Sequence, residues 1–221
     1  MRDALVAALL ILAPLTAHAE QWVFGVYLDD KRIGEHRFDV VRDDVEESIV
    51  SVVSRADFTV KVLLVPVFRY SHVANETWHD GCLSAIDSRT QVNGKGSSLV
   101  GRRVDAGFEL DVSDETGLRH ETLPECVSSF AYWDADTLRR HDRLLNSQTG
   151  SYQQVGSNRV RLDTSGRELL ELRGDEFQIE VSYRDSDWYW VGLSTTTDGG
   201  RALQYRLESE LPAMPVTLSG R

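Results

Sequence analysis

Regular alternation of apolar and polar residues is the feature that most constrains the fold of this chain. The stretch WVFGVYL places every second large apolar residue on one side of an extended strand: Trp22, Phe24, Val26 and Leu28. In the stretch DEFQIEVSYRD, polar residues alternate in the same way with Phe177, Ile179, Val181 and Tyr183. A period of two belongs to a β-strand with one buried face, whereas a helix needs a period of about 3.6 residues. The pattern therefore predicts an antiparallel sheet whose inner face covers a core.

Turn residues between these stretches predict how some strands connect. The sequence LSAIDSRTQV-NGKG-SSLVGRRV indicates a hairpin, because Asn93 and Gly94 readily adopt the positive φ angles of a tight turn. The stretch FTVKVLLVPVFRYSHV is nearly continuous in apolar residues and is expected to be a strand buried in part on both faces. Pro66 cannot donate a ladder hydrogen bond, so it predicts a bulge, an edge or a break within that stretch.

The whole pattern favours a mainly β fold in one domain. No low-complexity linker divides the chain, and one segment alone has helical character. We expect a single-domain curved antiparallel sheet or partly closed barrel of about ten or more strands, with one short helix. Both faces of several predicted strands carry charges, which argues against a barrel in an outer membrane.

The amino-terminal stretch is typical of a secretory signal peptide. Arg2 precedes an uncharged apolar run, Ala4–Leu12, and the triplet AHA that ends at Ala19 fits the small-x-small cleavage rule. The run is shorter than the ~20 residues that span a bilayer, and no cysteine follows the cleavage point for lipid attachment. We expect residues 1–19 to be removed and residues 20–221 to form one soluble β-rich domain, periplasmic or secreted.

The charge of the chain argues against two classes of partner. The formal net charge is −11 at pH 7. An acidic surface repels the phosphates of nucleic acids and of anionic membranes, so neither is an expected partner. Hydrophobic residues make up 41% of the chain, which is enough to build a core.

The chain has two cysteines, Cys82 and Cys126. An exported protein meets an oxidising compartment, so a disulfide between them is the leading interpretation. A metal site would need a CxxC or Cys/His spacing that neither cysteine has. A cysteine nucleophile is the remaining alternative, but no local motif supports it.

The stretch from Ser129 to Gly150, SFAYWDADTLRRHDRLLNSQTG, departs from the strand pattern. Its later apolar residues do not alternate, which predicts one short helix. Asp134 or Asp136 can begin the helix, because a carboxylate there accepts backbone N–H bonds. Asn146 or Gly150 can end it.

Two interpretations of this stretch are open. Its acidic residues and His141 could supply acid–base groups. In the structural interpretation, which we favour, Phe130–Trp133 plug the core, Asp134 caps the helix, and the helix covers one end of the sheet. Cys126 would pin this segment near Trp78. What stays open is whether the helix covers a filled core or a ligand cavity.

Three residues resemble a metal site at first inspection. His72, Glu76 and His79 would share one face of a helix, but the surrounding residues predict a strand, on which His79 points away from the other two. We therefore expect no metal and no cofactor. The GxSxG and HExxH motifs of hydrolases are absent from the sequence, so no residue is predicted to be catalytic. Aromatic and polar residues are the candidates for ligand binding: Tyr132, Trp133, Asp134, His36 and Trp78.

Five sequence blocks, in order, resemble a family of exported proteobacterial proteins catalogued only as a domain of unknown function. The blocks are WVFGVYLDDKRIGEHRFDV, ETWHDGCL, CVSSFAYWD, LLNSQTG and GRALQYRLE. They run from Trp22 to about Glu208, so the resemblance covers nearly the whole mature chain. It implies a secreted or periplasmic, mostly β domain, and it implies no reaction and no catalytic residue.

Three functions are compatible with these observations. The first is noncatalytic binding of a lipid or another apolar small molecule, because curved sheets rich in aromatic residues often hold such ligands. The second is a structural or partner-binding protein of the cell envelope. The third is a hydrolase of unknown substrate that would use Asp134 or His36 with Tyr132. We favour the first, a protein that is not an enzyme.

Overall fold

The computed structural model describes most of the chain. The residues it describes are 16–43, 46, 48–62, 65–160, 166–211 and 216–217. Within them lie sixteen β-strands and one short α-helix. The prediction of a mainly β fold with one short helix is therefore confirmed.

The elements follow one another along the chain in three groups. The first eight strands are β1 (Thr16–Leu28), β2 (Lys31–Arg42), β3 (Ile49–Val62), β4 (Val65–His79), β5 (Cys82–Val92), β6 (Lys95–Val104), β7 (Gly107–Asp114) and β8 (Gly117–Leu123). The helix and two short strands come next: α1 (Ala135–Arg140), β9 (Arg143–Leu145) and β10 (Tyr152–Gln154). The last six strands are β11 (Gly156–Val160), β12 (Arg167–Arg173), β13 (Gln178–Arg184), β14 (Trp190–Thr196), β15 (Ala202–Leu211) and β16 (Val216–Thr217).

One large antiparallel sheet contains thirteen of these strands in an unbroken path. Its order is β11-β12-β13-β14-β15-β1-β2-β3-β4-β5-β6-β7-β8, and β16 adds a short pairing to β1. The edge strands β8 and β11 do not pair with each other in the described residues, so the sheet is curved and open. β9 and β10 form a separate two-stranded ribbon.

The alternating stretches form the inner face of this sheet, as predicted. Trp22 pairs with Phe38 and Phe24 pairs with His36 across β1 and β2. All four apolar residues of the WVFGVYL pattern are buried: Trp22, Phe24, Val26 and Leu28. In β13, Val181 and Tyr183 are fully buried. The sequence period thus decides which side of each strand faces the core.

Residues 124–155, which connect β8 to β11, fill the inside of the curve, and we call them the plug. The N–H of Leu83 on β5 donates to the carbonyl of Val127 across 2.7 Å, and the hydroxyl of Tyr183 on β13 donates to the carbonyl of Tyr132 across 2.9 Å. Six strands lie between β5 and β13, which in a flat sheet would be about 34 Å apart. The sheet therefore wraps around the plug, and the core lies between them.

Aromatic packing joins the plug to β4. The rings of Trp78 and Trp133 meet edge to face, with centroids 5.7 Å apart. Both side chains are buried, and such a pair contributes about 0.5–1.5 kcal/mol beyond its buried area. The prediction that this aromatic segment plugs the core agrees with this packing.

The predicted disulfide between Cys82 and Cys126 is present and holds the start of the plug against β5. The two Cα atoms lie 5.1 Å apart, and the cysteines are 44 positions apart in the chain. Closing a loop of this length stabilises the fold by about 4 kcal/mol in the chain-entropy account.

The helix is shorter than the sequence predicted. Asp134 caps it, since its carboxylate accepts bonds from the backbone N–H groups of Asp136 and Thr137. The expected end at Asn146 or Gly150 is wrong: the backbone is already extended at His141, and β9 follows. Leu144 and Leu145, at the end of β9, are both fully buried. Burial of these neighbouring side chains against the core outweighs the local helical tendency.

The stretch around Pro66 also differs from the prediction. It does not form one strand but belongs to two, because β3 ends at Val62 and β4 begins at Val65. Residues 63–64 lie outside the described part of the chain. Pro66 faces Lys61 at a register irregularity next to Val60, which agrees with the first of the three predicted alternatives, a bulge, an edge or a break.

The amino-terminal residues are described only from Thr16 onward. Residues 16–19 extend β1, where Ala19 pairs with Val41 of β2 and Ala17 pairs with Val216 of β16. The rest of the predicted signal peptide, residues 1–15, lies outside the described residues. Among the residues that are described, no helix is long and apolar enough to cross a membrane.

Candidate functional site

Two cavities lie end to end on the inner face of the sheet. The cavity beside the plug, which we call the inner cavity, has a volume of about 290 Å³. The second, which we call the outer cavity, has a volume of about 480 Å³. Gln148 of the plug lines both cavities. The hydroxyl of Tyr205, in the outer cavity, lies 3.3 Å from Nδ1 of His36, in the inner cavity.

The same faces of β3 and β4 line both cavities. On β4, Phe68 and Tyr70 line the outer cavity, and His72 and Glu76 line the inner one. Every second residue of a strand points to the same side, so the change from aromatic to ionisable residues runs along one face. The register aligns β3 with it, because Phe58 pairs with Tyr70. The two strands together create an apolar end and a polar end.

The outer cavity is predominantly apolar. Its apolar lining includes Leu28, Ile33, Phe58, Val60, Phe68 and Leu203. The rings of Phe58 and Tyr70 stack with centroids 5.0 Å apart. Val67 lines the cavity and is 54% exposed, and its neighbour Val65 is 61% exposed. The cavity therefore has an apolar edge that reaches solvent.

Arg201 is the one cationic side chain among the described residues that line the outer cavity. Its Nε donates to Oδ2 of Asp29 across 2.7 Å. This bond lowers the pKa of the Asp29 carboxyl, together with the N–H of Ala202 that it also accepts. The charge of Arg201 is therefore already paired.

His36 supplies a neutral imidazole to the inner cavity. Its Nε2 lies 2.7 Å from Oγ of Ser54, and its ring stacks on Phe38 with centroids 4.1 Å apart. Burial removes the ring from water and lowers its pKa to about 3, and the nearby His72 adds to the effect. At neutral pH the ring is uncharged, with one nitrogen that donates and one that accepts.

His72 supplies a second neutral imidazole. Its Nδ1 lies 2.9 Å from Oγ1 of Thr90, and its Nε2 lies 3.4 Å from Oγ of Ser147 in the plug. Burial lowers its pKa to about 4. The two histidines are thus hydrogen-bonding groups of the cavity rather than positive charges.

Glu76 is the acidic residue of the inner cavity. Its Oε2 accepts a bond from the indole N–H of Trp78 across 3.0 Å, and its Oε1 accepts one from the hydroxyl of Ser129 across 2.9 Å. Burial raises its pKa to about 7, against the opposing effect of these two bonds. Close to neutral pH, this carboxyl exchanges between its charged and uncharged forms.

The structure brings together three of the five predicted ligand-binding residues. His36, Tyr132 and Trp133 all line the inner cavity. Trp78 does not line it, but packs on Trp133 and donates to Glu76. Asp134 does not line it either, because its carboxylate oxygens accept bonds from the helix start and from the hydroxyl of Thr137.

The site contains residues that sequence reasoning did not select. His72 and Glu76 were considered only as metal ligands, although their spacing on a strand already indicated that they share a face. Phe58, Tyr70 and Leu203 of the outer cavity were missed. No local signal brings Leu203 to Phe58 and Tyr70, since β15 reaches this place by pairing with β1 far away in sequence.

The residues predicted for a hydrolase do not form an acid–base site. The hydrolase interpretation needs Asp134 or His36 to act with Tyr132, but Asp134 is occupied as a helix cap. An imidazole with a pKa near 3 is a weak base at neutral pH. No group of three His, Cys, Asp or Glu side chains in the described ranges could hold a metal ion.

One of the comparisons with known proteins identifies a family. A family model described as a domain of unknown function, DUF6134, matches residues 24–208. No curated protein matches the chain. Among solved structures, a DUF1329 family protein from Desulfovibrio piger is similar over 91% of this chain and 87% of its own, with 9% sequence identity and a TM-score of 0.28.

Proposed function

We infer that this chain, which belongs to the DUF6134 family of domains of unknown function, binds a lipid or a similar amphipathic small molecule without changing it chemically. The resemblance seen in the sequence blocks is confirmed by the family match. The description of the family names no ligand. The proposal therefore depends on the geometry of the two cavities.

The outer cavity is the observation that carries the proposal. Its volume of about 480 Å³ lies within the range of about 300–1,000 Å³ that is usual for small-molecule sites. Its lining is mostly apolar, and burying each CH₂ group of a ligand there contributes about 0.8 kcal/mol. An acyl or alkyl chain fits this description.

The adjoining inner cavity makes the site amphipathic. Beyond Gln148 the lining changes from Phe58 and Tyr70 to His36, His72 and Glu76. A ligand with an apolar tail and a polar end would match both parts. Exposed Val65 and Val67 at the edge of the outer cavity provide an apolar path for entry.

Export to the periplasm or out of the cell is part of the same proposal. The signal-like amino terminus supports it. The bond between Cys82 and Cys126 supports it too, because structural disulfides persist in oxidising compartments.

Ligand uptake tests the proposal. Protein purified without detergent is analysed by native mass spectrometry, and uptake of the neutral dye Nile red is followed by fluorescence. We expect an adduct in the lipid mass range, or dye uptake that lauroylglycerol reverses. A clean mass together with no uptake would contradict the proposal.

A matched pair of variants locates the site. Val60→Trp fills the outer cavity, whereas Thr59→Trp adds the same side chain one position earlier, on the opposite face of β3. We expect Val60→Trp to abolish dye uptake and Thr59→Trp to keep it. Equal uptake by both variants would place the bound dye elsewhere.

A further inference from the structure

We propose that the inner cavity receives the polar end of the ligand, and that this end is uncharged, such as a hydroxyl, ester or amide, rather than a carboxylate or phosphate. The inference rests on the proposed function and names the ligand class of the same site.

The first support is the set of hydrogen-bonding groups. Hydroxyls and side-chain amides of the lining both donate and accept hydrogen bonds. They come from Ser54, Ser129, Ser147, Asn146, Gln148 and Gln153. No lysine or arginine stands among the described residues that line this cavity. Such a lining can satisfy a neutral polar group in several orientations.

The second support is the cost of an unpaired anion. A carboxylate or phosphate moved out of water into this cavity would meet no positive charge, and an isolated buried charge is strongly unfavourable. Glu76 is the acidic group already there, and its charged form repels a second anion. Arg201, at the outer cavity, is paired with Asp29.

The histidines do not supply the missing charge. His36 and His72 could pair with an anion if they were protonated. Burial holds their pKa values at about 3 and about 4, so both rings are neutral at the pH of most compartments. Both ring nitrogens of His36 already have hydrogen-bond partners in Ser54 and Tyr205. Those of His72 have theirs in Thr90 and Ser147, so neither ring provides a charged partner for an anion.

A cationic end is disfavoured for a related reason. Glu76 is the one acidic side chain of the described lining, and both its oxygens already accept bonds from Trp78 and Ser129. Its pKa of about 7 leaves much of it uncharged at neutral pH. The expected order of affinity is therefore neutral, then cationic, then anionic.

Three amphiphiles with the same tail test this order. Lauroylglycerol, laurylamine and laurate are compared by Nile red displacement near neutral pH, each below its micelle concentration. We expect lauroylglycerol to bind at least about tenfold more tightly than laurate, because an anion stays unpaired in the cavity.

A charge variant should shift the selectivity toward the anion. Gln153 lines the inner cavity, whereas Gln154, the next residue of β10, is exposed. Gln153→Lys should move the preference toward laurate by about tenfold, because the buried anion then has a partner. Gln154→Lys adds the same charge outside the cavity and should leave the order unchanged. Circular dichroism checks that both variants are folded.

The outcomes separate this inference from the function on which it rests. Laurate binding equal to or tighter than that of lauroylglycerol overturns the inference and leaves lipid binding intact. If Arg201→Gln then abolishes laurate binding, the polar end lies at the outer cavity. Failure of all three amphiphiles to bind overturns the proposed function itself.

Discussion

Ser129 in the plug donates its hydroxyl hydrogen to Glu76 on β4, across 2.9 Å. The other oxygen of Glu76 accepts the indole N–H of Trp78, and Trp78 packs on Trp133 of the plug. One half-buried carboxyl therefore lies between the wall of the cavity and the segment that fills the sheet. The protonation state of Glu76 therefore affects how strongly the plug and the sheet are held together.

Replacing Glu76 by Gln should change how stability depends on pH. The pKa of Glu76 is raised from 4.5 to about 7 in the folded protein, so the folded state holds the proton more tightly than the unfolded state. The resulting stabilisation is present below pH about 4.5 and is lost as pH rises through about 7. Across this window, wild type should lose about 3 kcal/mol relative to Glu76→Gln.

Urea unfolding at several pH values measures this difference. The variant Glu125→Gln removes an exposed carboxyl and should track wild type throughout. A constant offset between Glu76→Gln and wild type, with no trend in pH, would show that folding does not raise the pKa of Glu76.

Replacing His72 by Asn should have the opposite effect on the pH profile. The pKa of His72 falls from 6.5 to about 4 on folding, so the unfolded state binds the proton more tightly. Stability that depends on the neutral ring is present above pH about 6.5 and is lost as pH falls through about 4. Wild type should therefore lose about 3 kcal/mol relative to His72→Asn over this interval.

The same urea series measures the His72 effect. The variant His120→Asn changes an exposed ring, which is bonded to Asp111 on the outside of the sheet, and serves as the control. If the stability of His72→Asn and that of His120→Asn depend on pH in the same way, the pKa shift assigned to burial of His72 is disproved.

Breaking the disulfide should destabilise the plug and the sheet together. Cys82→Ser should lower the free energy of unfolding by about 4 kcal/mol, because the unfolded chain regains the freedom of the closed loop. Cys126→Ser should cost the same amount. Reductant should bring wild type to the level of the variants, and peptide mass mapping should find Cys82 joined to Cys126. No loss of stability in either variant would argue against the loop-entropy account.

Removing the helix cap should affect stability and leave ligand binding unchanged. Asp134→Ala takes away the acceptor of two backbone N–H bonds and of the buried Thr137 hydroxyl. The expected cost is about 1–2 kcal/mol. Asp136→Ala, in the exposed first turn, should cost less. Loss of Nile red uptake in a folded Asp134→Ala protein would show that Asp134 takes part in binding.

The sequence predicts the inner face of the sheet well, because that face depends on a local period. Trp22 and Phe24 are buried where the alternation places them. The Asp134 cap is predicted from the local sequence, and the disulfide is predicted from the expected oxidising compartment. Both are present in the structure.

What the sequence does not predict depends on contacts between distant residues. Leu144 and Leu145 become a strand because the core buries both, although the local pattern suggests a helix. Phe58 and Leu203 share a cavity because β15 pairs with β1, a contact between residues nearly the length of the chain apart. A period of two cannot show which strands will be neighbours.

The pairing of β1 with β15 has a consequence for the order in which the parts of the protein fold. Strands β1–β8 pair as successive hairpins, and so do β11–β15. The junction of the two groups joins residues far apart in sequence, so its formation requires a long loop to close. His36 and Tyr205, which meet at the boundary of the cavities, lie on the two strands that flank β1. Both cavities take lining residues from the two groups of strands, so neither cavity is complete before that junction forms. Ligand occupancy of the cavities would therefore distinguish fully folded molecules from incompletely folded ones. Because a ligand binds only the completed sheet, it would also stabilise the junction between β1 and β15 against opening.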